Sequence, residues 1–174
     1  MGKILILILL MMKLLQLFDN GIVENYEIFL SSESQSFLPY IHTEKGRQSL
    51  VFIHGLGFSS IADFSNIFYD SKYSGYRIIL IELPVHEFSD KPENFGYELY
   101  NYSEVIVSLP DHLQLKKCIV IGHSLGGTIA IALTQKRADL VSRSIVAEPN
   151  LDPVLGAGNK IITAWEEGEF IRKG

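Results

Sequence analysis

The stretch Ile119-Val120-Ile121-Gly122-His123-Ser124-Leu125-Gly126-Gly127 decides how this chain is read. Cys118 to Ile121 is a short continuous apolar run, the pattern of a strand buried on both faces. Thr128 to Leu140 follows with a helical pattern, so a G-x-S-x-G sequence sits between a strand and a helix. A serine on so sharp a turn has a strained backbone, and the positions two before and two after it must be very small. Gly122 and Gly126 supply that room. The turn lifts the Ser124 hydroxyl clear of the sheet and puts the Leu125 N–H at the start of the next helix, where developing negative charge is favoured. Ser124 is therefore the candidate nucleophile. A glycine-rich turn without chemistry is the competing reading, and the strand and helix on either side weigh against it.

Working outward, the chain alternates strand-like and helix-like segments. Tyr26 to Leu30 and Leu38 to His42 read as a first pair of strands, and Leu50 to Ile53 and Arg77 to Ile81 as buried ones. In Ser59 to Tyr69 the apolar residues Ile61, Phe64, Ile67 and Phe68 have helical spacing, with Ser59 or Ser60 as cap. Asn101 to Leu109 looks helical, with Pro110 expected to break or kink it. Ser144 to Ala147 closes as a strand. This order predicts an α/β fold, a mostly parallel sheet flanked by helices. Chemistry in such sheets collects past the carboxyl ends of the strands.

One of those ends carries His54-Gly55-Leu56-Gly57, directly after Leu50 to Ile53. Acyl transfer needs a second donor for the oxyanion, and the Leu56 N–H is the first choice, with Gly57 next. The alternative is a tight turn that merely ends a strand. Gly55 belongs to the same turn, and His54 reads as a structural residue that hydrogen-bonds the loop rather than as a base.

Three blocks in order, Leu50 to Gly57, Ile79 to Pro92 and Ile119 to Gly127, resemble the α/β-hydrolase superfamily. The middle block is similar to that family's D-x-P-G-x-G-x-S-x-x-P, with Glu82, Val85 and Glu87 where Asp, Gly and Gly are usual. The resemblance covers most of residues 26–150. It implies hydrolysis of a carboxylic ester or thioester by a serine nucleophile through an acyl-enzyme, with no cofactor.

A serine needs a base, and the base an orienting acid; in this fold they follow in the order Ser, acid, His. Glu148, at the end of the sixth strand, is the first candidate acid and Asp152 the second, each against the reading of an exposed strand-end carboxylate. No histidine follows His123. His86 reads as the family's loop histidine and as structural, with an unorthodox base role kept open. His42 and His112 read as surface or core residues with nothing nearby to activate them. The expected organisation is an apolar segment over residues 1–18 and a hydrolase domain over 19–174 that is incomplete at its C-terminus. Glu166-Glu167-Gly168-Glu169 would begin a lid helix. The competing function is a truncated, catalytically inactive hydrolase-like fragment or binding module.

Bulk properties narrow the partners. A net charge of -5, with no like-charged block, argues against nucleic acid. The lone Cys118 excludes an intramolecular disulfide and reads as a small core residue. No spacing of His, Cys or carboxylates suggests a metal site. Residues 4–18 open with an apolar run behind Lys3, too short for an ordinary span and without a small-residue cleavage site. A cytoplasmic protein is favoured over a membrane-associated or secreted one, and membrane contact is expected only if that segment is a signal or anchor. A start at Met11 or Met12 would remove it.

Overall fold

The computed structural model describes residues 25–151 apart from 32–35, 45, 85, 87–88, 90–94 and 97, together with Met12, Leu15 and Asp19. The rest of the N-terminal apolar run, Val85, Glu87, Asp152 and the charged segment 166–169 lie outside the described residues.

Six strands are described: β1 (Asn25–Leu30), β2 (Phe37–His42), β3 (Gln48–Ile53), β4 (Tyr76–Ile81), β5 (Cys118–His123) and β6 (Val141–Ala147). They form one sheet in the order β1-β2-β4-β3-β5-β6. β1 and β2 are antiparallel to their neighbours, whereas β4, β3, β5 and β6 run parallel. Flanking the sheet, among the described residues, are the helices α1 (Ser60–Phe64), α2 (Leu99–Ile106), α3 (Leu109–His112) and α4 (Leu125–Lys136). This is the mixed α/β sheet with flanking helices that the sequence predicts.

The apolar runs are continuous because both faces of the sheet are covered. Side chains alternate along a strand. Val51, Ile53, Ile79, Ile81 and Val120 face the layer built from α2, α3 and α4. Leu50, Phe52, Ile78 and Leu80 face Ile61 of α1, with Phe64, Ile67 and Phe68 packed around them. The apolar residues of β4 and β3 are nearly all buried.

Element boundaries differ from the pattern in instructive places. The segment expected as one helix over 59–69 is α1 capped by Ser59, whose side chain accepts from the Ala62 N–H, followed by a 3-10 turn over Ser65–Tyr69. Ile61, Phe64 and Ile67 are spaced by three, and three residues per turn keeps them on one face. Pro110 does not merely end a helix: it sits in the first turn of α3, where a missing N–H costs nothing. α4 starts three residues before the expected Thr128 and ends at Lys136 rather than Leu140. Gly126 and Gly127 are poor helix formers, and tertiary packing overrides their propensity. At the other end Arg137 leaves the helix with φ -124, its guanidinium held by Asp111 and Asp139. β6 begins at Val141 rather than Ser144, because pairing with β5 extends the strand through Ser142 and Arg143.

Candidate active site

The carboxyl ends of β3, β5 and β6 lie side by side, since Ile53 is paired with Gly122 and His123 with Ala147. Three loops therefore open at one level of the sheet: 54–59 after β3, the turn at Ser124 after β5, and 148–151 after β6.

Ser124 has φ 50 and ψ -115, outside the allowed regions for a residue with a side chain. Its neighbours hold it there. The Ser124 N–H donates to the Ala147 carbonyl at 2.9 Å, extending the β5–β6 ladder by one step. Its carbonyl accepts from the Gly127 and Thr128 N–H groups at 3.0 and 3.2 Å, which starts α4. A Cβ on Gly122 would lie 2.2 Å from the Gly126 carbonyl oxygen, and one on Gly126 would lie 2.1 Å from that of Ile53. Both positions accept only glycine for want of space. Leu125 is the first residue of α4, so no carbonyl of that helix receives its N–H.

The loop after β3 is a turn closed by the Phe58 N–H donating to the Gly55 carbonyl at 3.3 Å. Gly57 sits in it with φ 75, the left-handed region that such turns reserve for glycine. Leu56 and Gly57 are the turn's central residues, and Leu56 is about half exposed. The loop reaches the elbow: a Cβ on Gly55 would meet His123 Nδ1 at 3.1 Å and Ser124 Cβ at 3.4 Å.

His54 lies beneath this turn, fully buried. Its Nδ1–H donates to the Gly55 carbonyl at 2.8 Å, and its Nε2 accepts from the Leu83 N–H at 3.0 Å. Both ring nitrogens are thus committed to backbone in the neutral form. Burial, reinforced by the neighbouring His86, pushes the imidazole down to about 4. Glu82 stands 3.4 Å from His54 Nε2 and accepts from Ser60 N–H and Oγ–H, so it links the end of β4 to the start of α1.

Glu148 follows β6 directly, with φ 50. Its loop is anchored on α4, since Pro149 packs against Gly127 and Thr128 Oγ1 donates to the Asn150 carbonyl at 2.9 Å. The Glu148 side chain is 87% exposed, and its Oε2 lies 4.0 Å from His123 Nε2. The structure thus brings Ser124, Leu125, Leu56, Gly55 and Glu148 to one end of the sheet.

The sequence reading missed Asp63. One carboxylate oxygen, Oδ2, accepts the Gly55 N–H at 3.2 Å and the His123 Nδ1–H at 3.2 Å. No local signal marks this residue, because its partners lie 8 and 60 positions away. His42 and His112 also require correction. Each has a partner: His42 Nε2 is 3.4 Å from Glu27 Oε1, and His112 Nε2 is 3.2 Å from Tyr40 Oη. Glu27 and Tyr40 are hydrogen-bonded in turn, and burial together with that bond raises the Tyr40 phenol. Antiparallel β1–β2 pairing sets Glu27 opposite Tyr40, a juxtaposition that spacing along the chain hides. His86 is buried against His54 and Tyr102, with Nδ1 2.8 Å from the Pro84 carbonyl. Among the described residues, no cluster of His, Cys, Asp or Glu could hold a metal ion. No helix among them is long and apolar enough to cross a membrane.

The sequence profile of the alpha/beta hydrolase fold family matches residues 48–168. The chain is 32% identical over 101 residues to the uncharacterized hydrolase YugF of Bacillus subtilis, a match covering 58% of this chain and 36% of that protein. It is 34% identical over 113 residues to a putative esterase/lipase of Haemophilus influenzae, covering 64% of this chain and 37% of the relative. Its fold also superposes on a carboxylesterase structure from Nitrososphaera gargenis with a TM-score of 0.67 at 23% identity, over 83% of this chain and 51% of the other. The chain spans about a third of the length of the curated relatives it matches. With the profile spanning well over half of its residues and the fold in agreement, this chain belongs to the alpha/beta hydrolase fold family.

Proposed function

We propose that this chain carries the nucleophile and oxyanion site of a serine hydrolase that cleaves a carboxylic ester or thioester. The observation that carries the reading is the Ser124 backbone, held at φ 50 between β5 and α4 by glycines that admit no side chain. Non-glycine residues in such conformations cost about 1–3 kcal/mol and persist where function uses them.

In this reading Ser124 Oγ attacks the carbonyl carbon while its proton passes to a base. The electron pair of the C=O bond moves onto oxygen, and the Leu56 and Leu125 N–H groups bind that oxyanion. Collapse breaks the bond to the leaving group, which departs as alcohol or thiol with the proton the base returns. Water then splits the acyl-enzyme to give the acid and the free Ser124 hydroxyl. Leu125 contributes through the open end of α4 and Leu56 through the turn that lies against the elbow. Glu148 is the candidate orienting acid, one loop away, in the chain order this fold uses. The putative esterase/lipase name of the Haemophilus influenzae relative points to the same substrate class.

A second reading, a hydrolase-like chain inactive by itself, rests on the histidines. His54 is locked neutral beneath the turn, His86 is buried on Pro84, and His42 and His112 are engaged around Glu27 and Tyr40. His123 is turned by Nδ1 to Asp63. Intact-mass analysis after fluorophosphonate treatment separates the two. The proposal expects one adduct on the folded wild type and none on Ser124→Ala. A folded wild type without adduct would favour the inactive chain.

A further inference from the structure

Two pieces of the site come from segments far apart in sequence, and one carboxylate joins them. Gly55 immediately precedes Leu56, the candidate donor of the first loop. His123 immediately precedes Ser124. Asp63 Oδ2 lies 3.2 Å from both the Gly55 nitrogen and His123 Nδ1. The Asp63 side chain is only 12% exposed, so water competes weakly for these contacts. A carboxylate accepts and cannot donate, so both groups must present N–H to it, which fixes which ring nitrogen of His123 bears hydrogen on that side.

Asp63 is itself held in place. It lies in α1, where its N–H donates to the Ser59 carbonyl at 3.0 Å. Ser59 caps the helix, and Glu82 at the end of β4 accepts from both donors of Ser60. The chain of contacts therefore runs from β4 through α1 to Asp63, and from there to the loop after β3 and the turn after β5. Glu148 lies on the opposite side of the His123 ring, at 4.0 Å, so the imidazole is flanked by two carboxylates.

We infer that Asp63 is a positioning residue of the hydrolase site, setting the Leu56 N–H relative to Ser124 through its simultaneous hold on the Gly55 N–H and the His123 ring. This rests on the nucleophile and oxyanion roles proposed above. It goes beyond them in assigning a residue that touches neither substrate nor nucleophile. Asp63 contributes geometry, and a donor displaced from the oxyanion position slows bond formation without weakening substrate binding.

The test uses the whole chain as wild type, Asp63→Asn and Asp63→Ala. Asparagine retains an oxygen acceptor for the Gly55 N–H; alanine retains none. Fluorophosphonate labelling is followed at several reagent concentrations, to separate the limiting rate from reagent affinity. Asp63→Ala is expected to lower the limiting rate at least tenfold with affinity unchanged, and Asp63→Asn to recover most of it. A residue that merely stabilises the fold would not produce that split. Amide resonances of Gly55, Leu56, Gly57 and Leu125 are recorded for the same three proteins. They are expected to shift in Asp63→Ala, with the Gly55 proton moving furthest, and to stay nearer wild type in Asp63→Asn. An unlabelled wild type would count against the nucleophile role alone, and the positioning is then decided by the amides. Unchanged Gly55 and Leu56 resonances in Asp63→Ala, or an unchanged limiting rate in a labelled series, would overturn it.

Discussion

At the scale of single residues, Ser124 and His54 are held in states that the unfolded chain would not choose. Ser124 keeps a backbone outside the allowed regions at φ 50, ψ -115. Glycine would relieve that strain, about 1–3 kcal/mol, at the cost of about 0.5–1 kcal/mol of extra chain entropy. Ser124→Gly should therefore be more stable than wild type by about 1 kcal/mol, or a few degrees of Tm by thermal unfolding, while taking no fluorophosphonate. An unchanged or lower Tm would mean that the turn is not strained. His54 carries a pH dependence whose sign is fixed by burial. Its imidazole is pushed from 6.5 down to about 4 in the folded chain, so between those values the unfolded chain holds the extra proton. The stabilisation is full above about pH 6.5 and is lost as pH falls through about 4, amounting to about 3 kcal/mol. Urea unfolding across this range should show wild type losing that much more stability than His54→Gln. Parallel curves would show that the ring titrates normally.

At the scale of elements, close approach decides more than propensity. The first turn of α4 carries Gly126 and Gly127, residues that disfavour helix, because the start of the helix lies against the end of β3. A Cβ on Gly126 would meet the backbone oxygens of Ile53 and His54 at 2.1 and 2.5 Å. The Ile53 carbonyl belongs to β3 and cannot move without disturbing the ladder. Gly126→Ala should cost about 3 kcal/mol or more in denaturant unfolding, at the upper end of overpacking. Gly75, with nothing within 4 Å of an added Cβ, is the control, and Gly75→Ala should change stability by less than about 0.5 kcal/mol. Equal effects at the two positions would rule out the packing account. The buried strands and the elbow were legible in the sequence because continuous apolar runs and G-x-S-x-G are local patterns. Limits set by contacts across the fold were not. β6 extends back over Ser142 and Arg143 because β5 pairs with it, and Asp63 matters because two distant N–H groups converge on it. Neither leaves a periodicity to read. The expectation that nothing lies near His42 and His112 to activate them failed for the same reason, since β1, β2 and α3 bring Glu27 and Tyr40 to them.

At the scale of the whole molecule, the sheet is well covered in its middle and, among the described residues, bare at β6. β6 is the last strand in the sheet order among the described residues. Ile145 is 51% and Val146 37% exposed, so apolar surface accompanies the open edge. Exposed edges of this kind template pairing with other chains. The 174-residue chain should therefore self-associate with rising concentration in sedimentation velocity, and Ile145→Lys should shift it toward monomer. A monomer at every concentration would show that the edge is protected.

The strand ends that carry the site are level with one another because their pairing is fixed residue by residue, Ile53 to Gly122 and His123 to Ala147. A slip of one residue would turn every side chain of a strand to the other face, so the ladder tolerates little drift. The central residues of the turn after β3, Leu56 and Gly57, take no part in that ladder. A side chain at position 56 can therefore change without altering the register that presents Ser124.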